Sequence, residues 1–275
     1  MNVAVVGHVE WIEFVRVDHV PLRGEIVHAG ETWCEAAGGG AVAAVQLARL
    51  AGSSTLYTAI GDDELGRKVA PELERHGVAV HAAVRPEAQR RGFTYVDAGG
   101  ERTITVIGER LGPNGDDELP WRELVECDSV YFTAGDTGAL RAARAARKLV
   151  ASVRAKEMLA AAGVQLDMLV ASSKDEGERY RPGELEPPPE YVAQTAGAAG
   201  GSLLDADGST SHWAAAPLPA PPVDAYGAGD CFAAGLTFGL AEGMPPAEAL
   251  ELGARCGAAC VTGRGPYGAM YRGEA

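Results

Sequence analysis

The run Asp224-Ala225-Tyr226-Gly227-Ala228-Gly229-Asp230 sets two glycines and a carboxylate at the start of the helix-like stretch Cys231-Phe232-Ala233-Ala234-Gly235-Leu236. The first amides of a helix have no internal partner and lie at the positive end of its dipole, so a small-residue turn there can hold an anion. Gly227 and Gly229 leave those amides uncovered. A carboxylate in the same turn would repel phosphate unless it had a task, and one such task is taking the proton from a hydroxyl that attacks a phosphoryl group. Asp230 is the candidate for that base. Asp is also a common helix N-cap and glycines often precede helices, so this loop alone leaves both readings open.

Two further glycine segments bear on the choice. Ala36-Ala37-Gly38-Gly39-Gly40 opens the apolar stretch Ala41 to Leu50, which closes at Gly52, and three successive glycines bring bare backbone close to something. Thr195-Ala196-Gly197-Ala198-Ala199-Gly200-Gly201 lies between a strand ending at Thr195 and a short strand at Leu203, where a simple turn would also suffice. Gly38-x-Gly40-x-x-Ala43 fits the loose dinucleotide pattern. That pattern needs a buried strand directly before it, whereas Glu31-Thr32-Trp33-Cys34-Glu35 is polar and the first strand ends at a lone Gly7. The context therefore argues against a dehydrogenase.

The elements that must position these loops read as an α/β layered fold. Short β-rich runs at Val3 to Val6, Ser129 to Thr133, Leu149 to Val153, Met168 to Val170, Tyr191 to Thr195 and Ser202 to Asp205 alternate with Ala-rich helical stretches. Continuous apolar strands separated by helices imply a largely parallel sheet covered on both faces. Ala139 to Val150 reads as a surface helix whose Arg141, Arg144, Arg147 and Lys148 form a solvated face, and the last helix is expected to run to about Val261. Trp11 to Ala29 and Val80 to Ile107 lack helical period and read as antiparallel strands. Within the second, Gly92 to Asp97, then Ala98-Gly99-Gly100, then Glu101 to Val106 has the two arms and glycine turn of a hairpin. Placed over the carboxyl ends of the sheet strands, these insertions would act as a lid or an interface.

Composition narrows the partners. Acidic residues outnumber basic ones 38 to 24 for a net charge of -14, with no basic block to track a nucleic acid. The N-terminal apolar run is too short for a signal-peptide core and no run reaches membrane-spanning length, so a soluble, cytoplasmic protein is expected. The five cysteines, Cys34, Cys127, Cys231, Cys256 and Cys260, are scattered without a C-x-x-C pair, which argues against disulfides and a zinc site and makes Cys256 and Cys260 small core residues.

In chain order the sequence carries a glycine stretch opening a helix, a strand with a polar exit, Thr-x-Gly-x-x-Gly, and Asp-x-x-Gly-Ala-Gly-Asp. This set resembles the ribokinase-like sugar kinases of the PfkB family from Val3 to about Gly268, and Gly227-Ala228-Gly229-Asp230 with its helix is the most specific part. The resemblance implies a three-layer α/β ribokinase-like fold: one domain over 1-275, a central mostly parallel sheet, and a small β-sheet lid from insertions at about 11-35 and 80-110. It implies transfer of the γ-phosphoryl group of ATP to a hydroxymethyl group of a small sugar or nucleoside. Asp230 would be the base and the amides of Gly227, Ala228 and Gly229 the anion hole, while Gly38, Gly39 and Gly40 would meet the acceptor. Ser172, Thr195, Gly197 and Gly200 would line the nucleotide side together with Gly227 and Gly229. Magnesium would accompany the ATP, held mostly by phosphates and water.

Several positions depart from the family pattern. Its Asn-x-x-Glu element falls at Ser172 and Asp175, where the shorter Asp175 suits a water-mediated metal contact or an exposed helix-start acid. Its early Asn-x-Asp pattern appears as Glu10-Trp11-Ile12, and its later sugar-binding Asn falls at Ala43, so Glu10 is left as the acceptor contact. Ala225 and Tyr226 replace two threonines. Asp224 is retained and, with the loop Val261 to Pro266, would bind a monovalent cation such as K+. Arg154 and Lys174 are either phosphate-neutralising or ordinary surface residues. Two other functions stay open, a non-catalytic metabolite-binding protein on a kinase scaffold and a vitamin or pyrimidine kinase. The edge of the lid is expected to make a homodimer.

Overall fold

The computed structural model describes residues 1–273. Along the chain the elements are β1 (Val3–Val6), β2 (Glu10–Arg16), β3 (Glu31–Ala37), α1 (Gly39–Ala51), β4 (Ser54–Gly61), α2 (Glu64–Glu74), β5 (Val78–Arg85), β6 (Arg91–Val96), β7 (Arg102–Ile107), β8 (Ser129–Phe132), α3 (Thr137–Ala143), β9 (Leu149–Ser152), α4 (Lys156–Ala162), β10 (Met168–Ser172), β11 (Tyr191–Thr195), β12 (Gly201–Asp205), β13 (Thr210–Trp213), α5 (Ala228–Ala241) and α6 (Pro246–Val261). Among the described residues, nine strands form one sheet in the order β13-β12-β11-β10-β9-β8-β1-β4-β5. Its pairs are parallel except β11 with β12 and β12 with β13.

The middle strands are apolar throughout because both faces are covered. β1, β8 and β9 have every residue buried. One covering layer packs Leu47 of α1, Phe232 and Leu236 of α5 and Leu250 of α6 against the sheet. The other packs Leu140 of α3 and Leu159 of α4 with Phe132 and Leu169. Each such leucine contributes about 1.5–3 kcal/mol by leaving water. Helices α5 and α6 approach closely through small residues. A Cβ on Gly235 would lie 2.6 Å from Cys256 Sγ, which explains the buried cysteine as a packing residue.

A second sheet of four strands, β3-β2-β6-β7, forms the lid. The expected hairpin is β6 and β7, paired antiparallel from Arg91↔Ile107 to Val96↔Arg102. The lid differs from the sequence reading in two ways. β2 and β6 pair parallel, since they come from separate insertions. The run from Val78 to Arg85 pairs with β4 in the large sheet, so the second lid segment starts at Arg91. The open edge β7 carries exposed Ile104, Val106 and Ile107. Under the lid, Phe14 stacks on Trp33 at 4.8 Å and meets Tyr226 edge-on at 5.0 Å, which ties this sheet to the segment before α5.

The helix expected over Ala139 to Val150 stops at Ala143. Arg144 turns to the carbonyls of Ala146 and Gln165 and, with Lys148, holds Asp167 at 2.6 and 2.8 Å. Arg144 and Lys148 thus tie this segment to Asp167, while Arg141 and Arg147 stay exposed. No helix among the described residues is long and apolar enough to cross a membrane.

At the junction of β1 and α1 the backbones touch. A Cβ on Gly40 would stand 2.6 Å from the carbonyl oxygen of His8 and 2.9 Å from its amide nitrogen. Alanine is the better helix former by about 1 kcal/mol, so a net loss in Gly40→Ala reads that clash directly. Denaturant unfolding should place Gly40→Ala about 1–3 kcal/mol below the parent. Gly30→Ala, at a glycine with nothing within 4 Å, should stay within about 0.5 kcal/mol.

A second test concerns Glu35 in β3, whose carboxyl is pushed up from 4.5 to about 7 by burial and the neighbouring Glu72 charge. The folded state therefore holds a proton that the unfolded chain releases at lower pH, and stability falls as pH rises from about 4.5 through about 7. Unfolding midpoints across that range should drop less steeply in Glu35→Gln than in the parent.

Candidate active site

The contact between β1 and α1 governs the site. Gly7 admits no side chain, since its Cβ would stand 2.8 Å from Thr133 Oγ1 and 3.0 Å from Gly40 Cα. Gly38 takes a φ of 85°, and the amide of Gly40 donates to the His8 carbonyl at 3.1 Å. This turn presents Gly39 to the start of α5. A Cβ on Gly39 would lie 3.0 Å from Asp230 Oδ1. The two glycine segments, nearly two hundred residues apart in sequence, therefore meet at the carboxylate of Asp230.

At the start of α5, Gly227 is left-handed at φ 82°, packed on Val42 and Pro266, and no side chain caps the helix. The amides of Gly227, Gly229 and Asp230 find no acceptor among the described residues, while that of Ala228 makes a long 3.5 Å contact to Ala225 O. Gly229 has open space where a Cβ would be. Two of the three amides the sequence implied, Gly227 and Gly229, are thus free together with that of Asp230, and the open space at Gly229 leaves room for an anion. Burial pushes the Asp230 carboxyl above the usual range, against the pull of Arg154 and Arg102. A carboxylate with a raised pKa is a better proton acceptor.

Asp224, fully buried, sits under the same loop. Its oxygens accept from the amides of Tyr226 at 2.8 Å and Gly265 at 3.0 Å, so it fixes the loop after α6 to the lead-in of α5. That brings Asp224 and Val261 to Pro266 together, and lone pairs remain on both oxygens. The lid is fastened to the same strip. Gly100 O accepts from the Ala225 amide at 3.1 Å, and Arg102 donates to Ala225 O at 3.1 Å.

On the acceptor side, the side chains present are His8, Glu10 and Arg90. His8 is held neutral by burial and by the charges of Arg110, Arg90 and Arg154. Its Nε2 accepts from the Gly39 amide at 3.4 Å, which leaves Nδ1 to donate to Thr133 Oγ1 at 3.2 Å. Glu10 Oε1 lies 2.8 Å from Arg90 Nε and 3.7 Å from His8 Nε2. Glu10 is buried, and that burial raises its pKa in spite of Arg90 and Arg110. Gln89 positions Arg90: its amide side chain accepts from Gly61 N and donates to Val9 O, while its own N–H donates to Asp63. Ile12 and Ala43 are fully buried and offer no polar contact. His8, Arg90 and Arg110 escaped the sequence reading because each is a lone residue outside any motif.

The segments expected to line the nucleotide side lie at the ends of β10 and β11. Thr195 Oγ1 donates to Ala171 O at 3.1 Å and so joins the ends of β10 and β11. Gly200, at φ 82°, has no room for a Cβ, which would fall 2.1 Å from Trp213 O. Lys174 lies over Gly197, whose Cβ would meet Nζ at 2.7 Å. Ser172 Oγ accepts weakly from the amides of Lys174 and Asp175 at 3.3 and 3.4 Å. Asp175 is exposed and accepts from Gly177 N at 2.9 Å. Arg154 pairs with Glu178, and the carboxylates of Asp230 and Glu178 outweigh burial to keep it charged.

No group of three or more His, Cys, Asp or Glu among the described residues is arranged to hold a metal ion. This donor set fits magnesium that rides on phosphates and water with a single carboxylate, such as Asp175, nearby. It does not fit an all-protein cage.

Comparison with known proteins bears on the family and the fold. The family model described as "pfkB family carbohydrate kinase" matches residues 1–173 and 150–270. An ATP-dependent ribose-1-phosphate kinase of Halopiger xanaduensis is 28% identical over 281 residues, covering 94% of this chain and 91% of that protein. The ribokinase of Thermotoga maritima superposes with a TM-score of 0.78 at 22% identity, covering 99% of this chain and 97% of that one. The Arabidopsis thaliana ribokinase complexed with ribose and ATP gives 0.74 at 20% identity, covering 96% and 93%. Matched by that family model over most of its length and sharing the fold of these neighbours, this chain belongs to the pfkB family of carbohydrate kinases.

Proposed function

We propose that the protein transfers the γ-phosphoryl group of ATP to a hydroxymethyl group of a small sugar or nucleoside, with Asp230 as general base. The observation that carries this reading is the meeting of Gly39 and Asp230 Oδ1 beside the unpaired amides of Gly229 and Asp230. An acceptor lying on the Gly38-Gly39-Gly40 backbone would place its hydroxyl against that oxygen. The hydroxyl proton passes to Asp230, the freed oxygen pair forms the new bond to the γ-phosphorus, and the bond from that phosphorus to the bridging oxygen breaks to release ADP. The loop amides, with Arg154 on the Asp230 side, face the charge on the group in flight. Magnesium, when bound with the nucleotide, would neutralise phosphate charge.

Asp224 works at one remove. It holds the loop Gly227-Ala228-Gly229 through Tyr226 and Gly265, and a monovalent cation beside its remaining lone pairs would stiffen the same strip. The relatives named for ribose and for ribose 1-phosphate make pentoses and their phosphates the first acceptors to assay. An intact base in contact with the acceptor-side backbone favours an enzyme over a metabolite sensor built on the same scaffold.

Asp230→Asn should lower turnover by roughly 10²–10⁴-fold while nucleotide binding, measured by titration with an ATP analogue, changes little. Most of the ADP release surviving in that variant would remove Asp230 from the role. In the parent enzyme the base must be ionised, and burial raises its pKa from 3.8. The acid limb of kcat/KM should therefore fall at a pH above that of a free Asp side chain, and a limb at the free value would contradict a buried base.

A further inference from the structure

The acceptor end carries more positive charge than a neutral sugar can use. Arg90 approaches along the start of β6 with its side chain 14% exposed, and it faces Glu10 at 2.8 Å. Its Nε is buried and lacks an aligned hydrogen-bond acceptor. Arg110 follows β7 on the other arm of the hairpin. The register Arg91↔Ile107 and the turn at Gly108, whose Cβ would lie 3.8 Å from Arg90 Cα, bring the backbone leading to Arg110 against Arg90. Arg110 makes no hydrogen bond or ion pair among the described residues, and its charge is felt at His8, Glu10 and Arg90. Beside Glu10 one carboxyl thus stands against the two guanidinium groups of Arg90 and Arg110, with Asp230 and Arg154 a further opposed pair within electrostatic reach, in a chain whose net charge is -14.

Side chains able to meet sugar hydroxyls are few in the same place. Ile12 and Ala43 are apolar and fully buried, and His8 is spent on Gly39 and Thr133. A site short of hydroxyl partners and long in guanidinium groups selects charge, because paired arginine forks match the oxygens of a phosphate ester. We propose that the acceptor is a phosphorylated sugar whose phosphate ester, at the end away from the attacking hydroxyl, is held between Arg90 and Arg110. This rests on the kinase reading above. Glu10 then sets the angle of Arg90 and yields its place beside the guanidinium to the incoming dianion.

The test uses three acceptors with a free hydroxymethyl group: ribose, ribose 1-phosphate, and a sugar acid with a carboxylate in place of the ester. The parent enzyme should turn over ribose 1-phosphate with kcat/KM at least about 10²-fold above the other two, and inorganic phosphate should compete with the acceptor and leave KM for ATP unchanged. Arg110→Gln is the safer variant, since that side chain is exposed and supports nothing else. It should raise KM for ribose 1-phosphate by roughly 10- to 100-fold, with a much smaller change in kcat. Equal use of ribose, preference for the sugar acid, or an unchanged KM in Arg110→Gln would each overturn the assignment. Calorimetric titration of ribose 1-phosphate onto the protein with an unreactive ATP analogue reads the same contact without turnover. A kinase that prefers ribose would leave the proposed function standing and sink only the phosphate subsite, whereas tight binding lost in Arg110→Gln without ADP release would do the reverse.

Discussion

The site depends on one close approach, between the backbone leaving β1 at Gly7 and His8 and the backbone entering α1 at Gly38 to Gly40. Side chains are excluded there on both sides, so the two elements meet at backbone distance and the entry to α1 cannot shift. From that fixed turn Gly39 projects at Asp230, and His8 is locked between the Gly39 amide and Thr133. Helix α5 is held from its other side by α6 through Gly235 and Gly253, whose missing side chains let the helices press together. A carboxylate placed by two such contacts needs no long side chain of its own to be accurately set.

Electrostatics follows from this placement. The unpaired amides at the start of α5 favour a negative ligand, while Asp230 in the same turn is itself negative and partly buried. The conflict is eased in the resting protein by the raised pKa of Asp230 and by Arg154, which pairs with Glu178 and lies within electrostatic reach of Asp230. A proton-accepting group is useful here because it is poised away from its free value by its surroundings. The overall acidity of the chain says nothing about this local balance, since a few oriented amides and guanidinium groups outweigh distant surface carboxylates that water screens.

The parts of this arrangement that were legible in the sequence are those written locally. A glycine loop running into a helix, a hairpin with a glycine turn, and uninterrupted apolar strands each announce themselves within ten residues. What escaped was set by distant contacts. The Ala- and Arg-rich run after Thr137 has strong helix propensity throughout, and it breaks at Ala143 because Arg144 and Lys148 are drawn to Asp167 on the way into β10. The run after Val78 alternates like a lid strand because it is the last strand of the large sheet, half exposed, and only its pairing with β4 tells the two apart. β4 itself mixes Thr55, Tyr57 and Thr58 among its apolar residues, which blurs its period although most of the strand is buried. Arg90 carries no motif at all; Gln89, reaching at once to Gly61, Val9 and Asp63, puts it at the acceptor.

The lid hairpin joins the two halves of the site. Its turn rests on the segment before α5, where Gly100 accepts from Ala225 and comes so close to Val223 that a Cβ would lie 2.9 Å from the Val223 carbonyl. Arg102, two residues on, donates to Ala225 O, and the far end of the same strand leads into Gly108 and Arg110. One short ladder of six residue pairs therefore connects the lead-in to α5 with the strand end that leads to Arg110. A paired strand transmits displacement along its length because its register cannot slip by one residue without turning every side chain to the wrong face. Tilting that ladder strains the bonds at Ala225 that hold the turn before Gly227, so the lid hairpin and the start of α5 are mechanically joined.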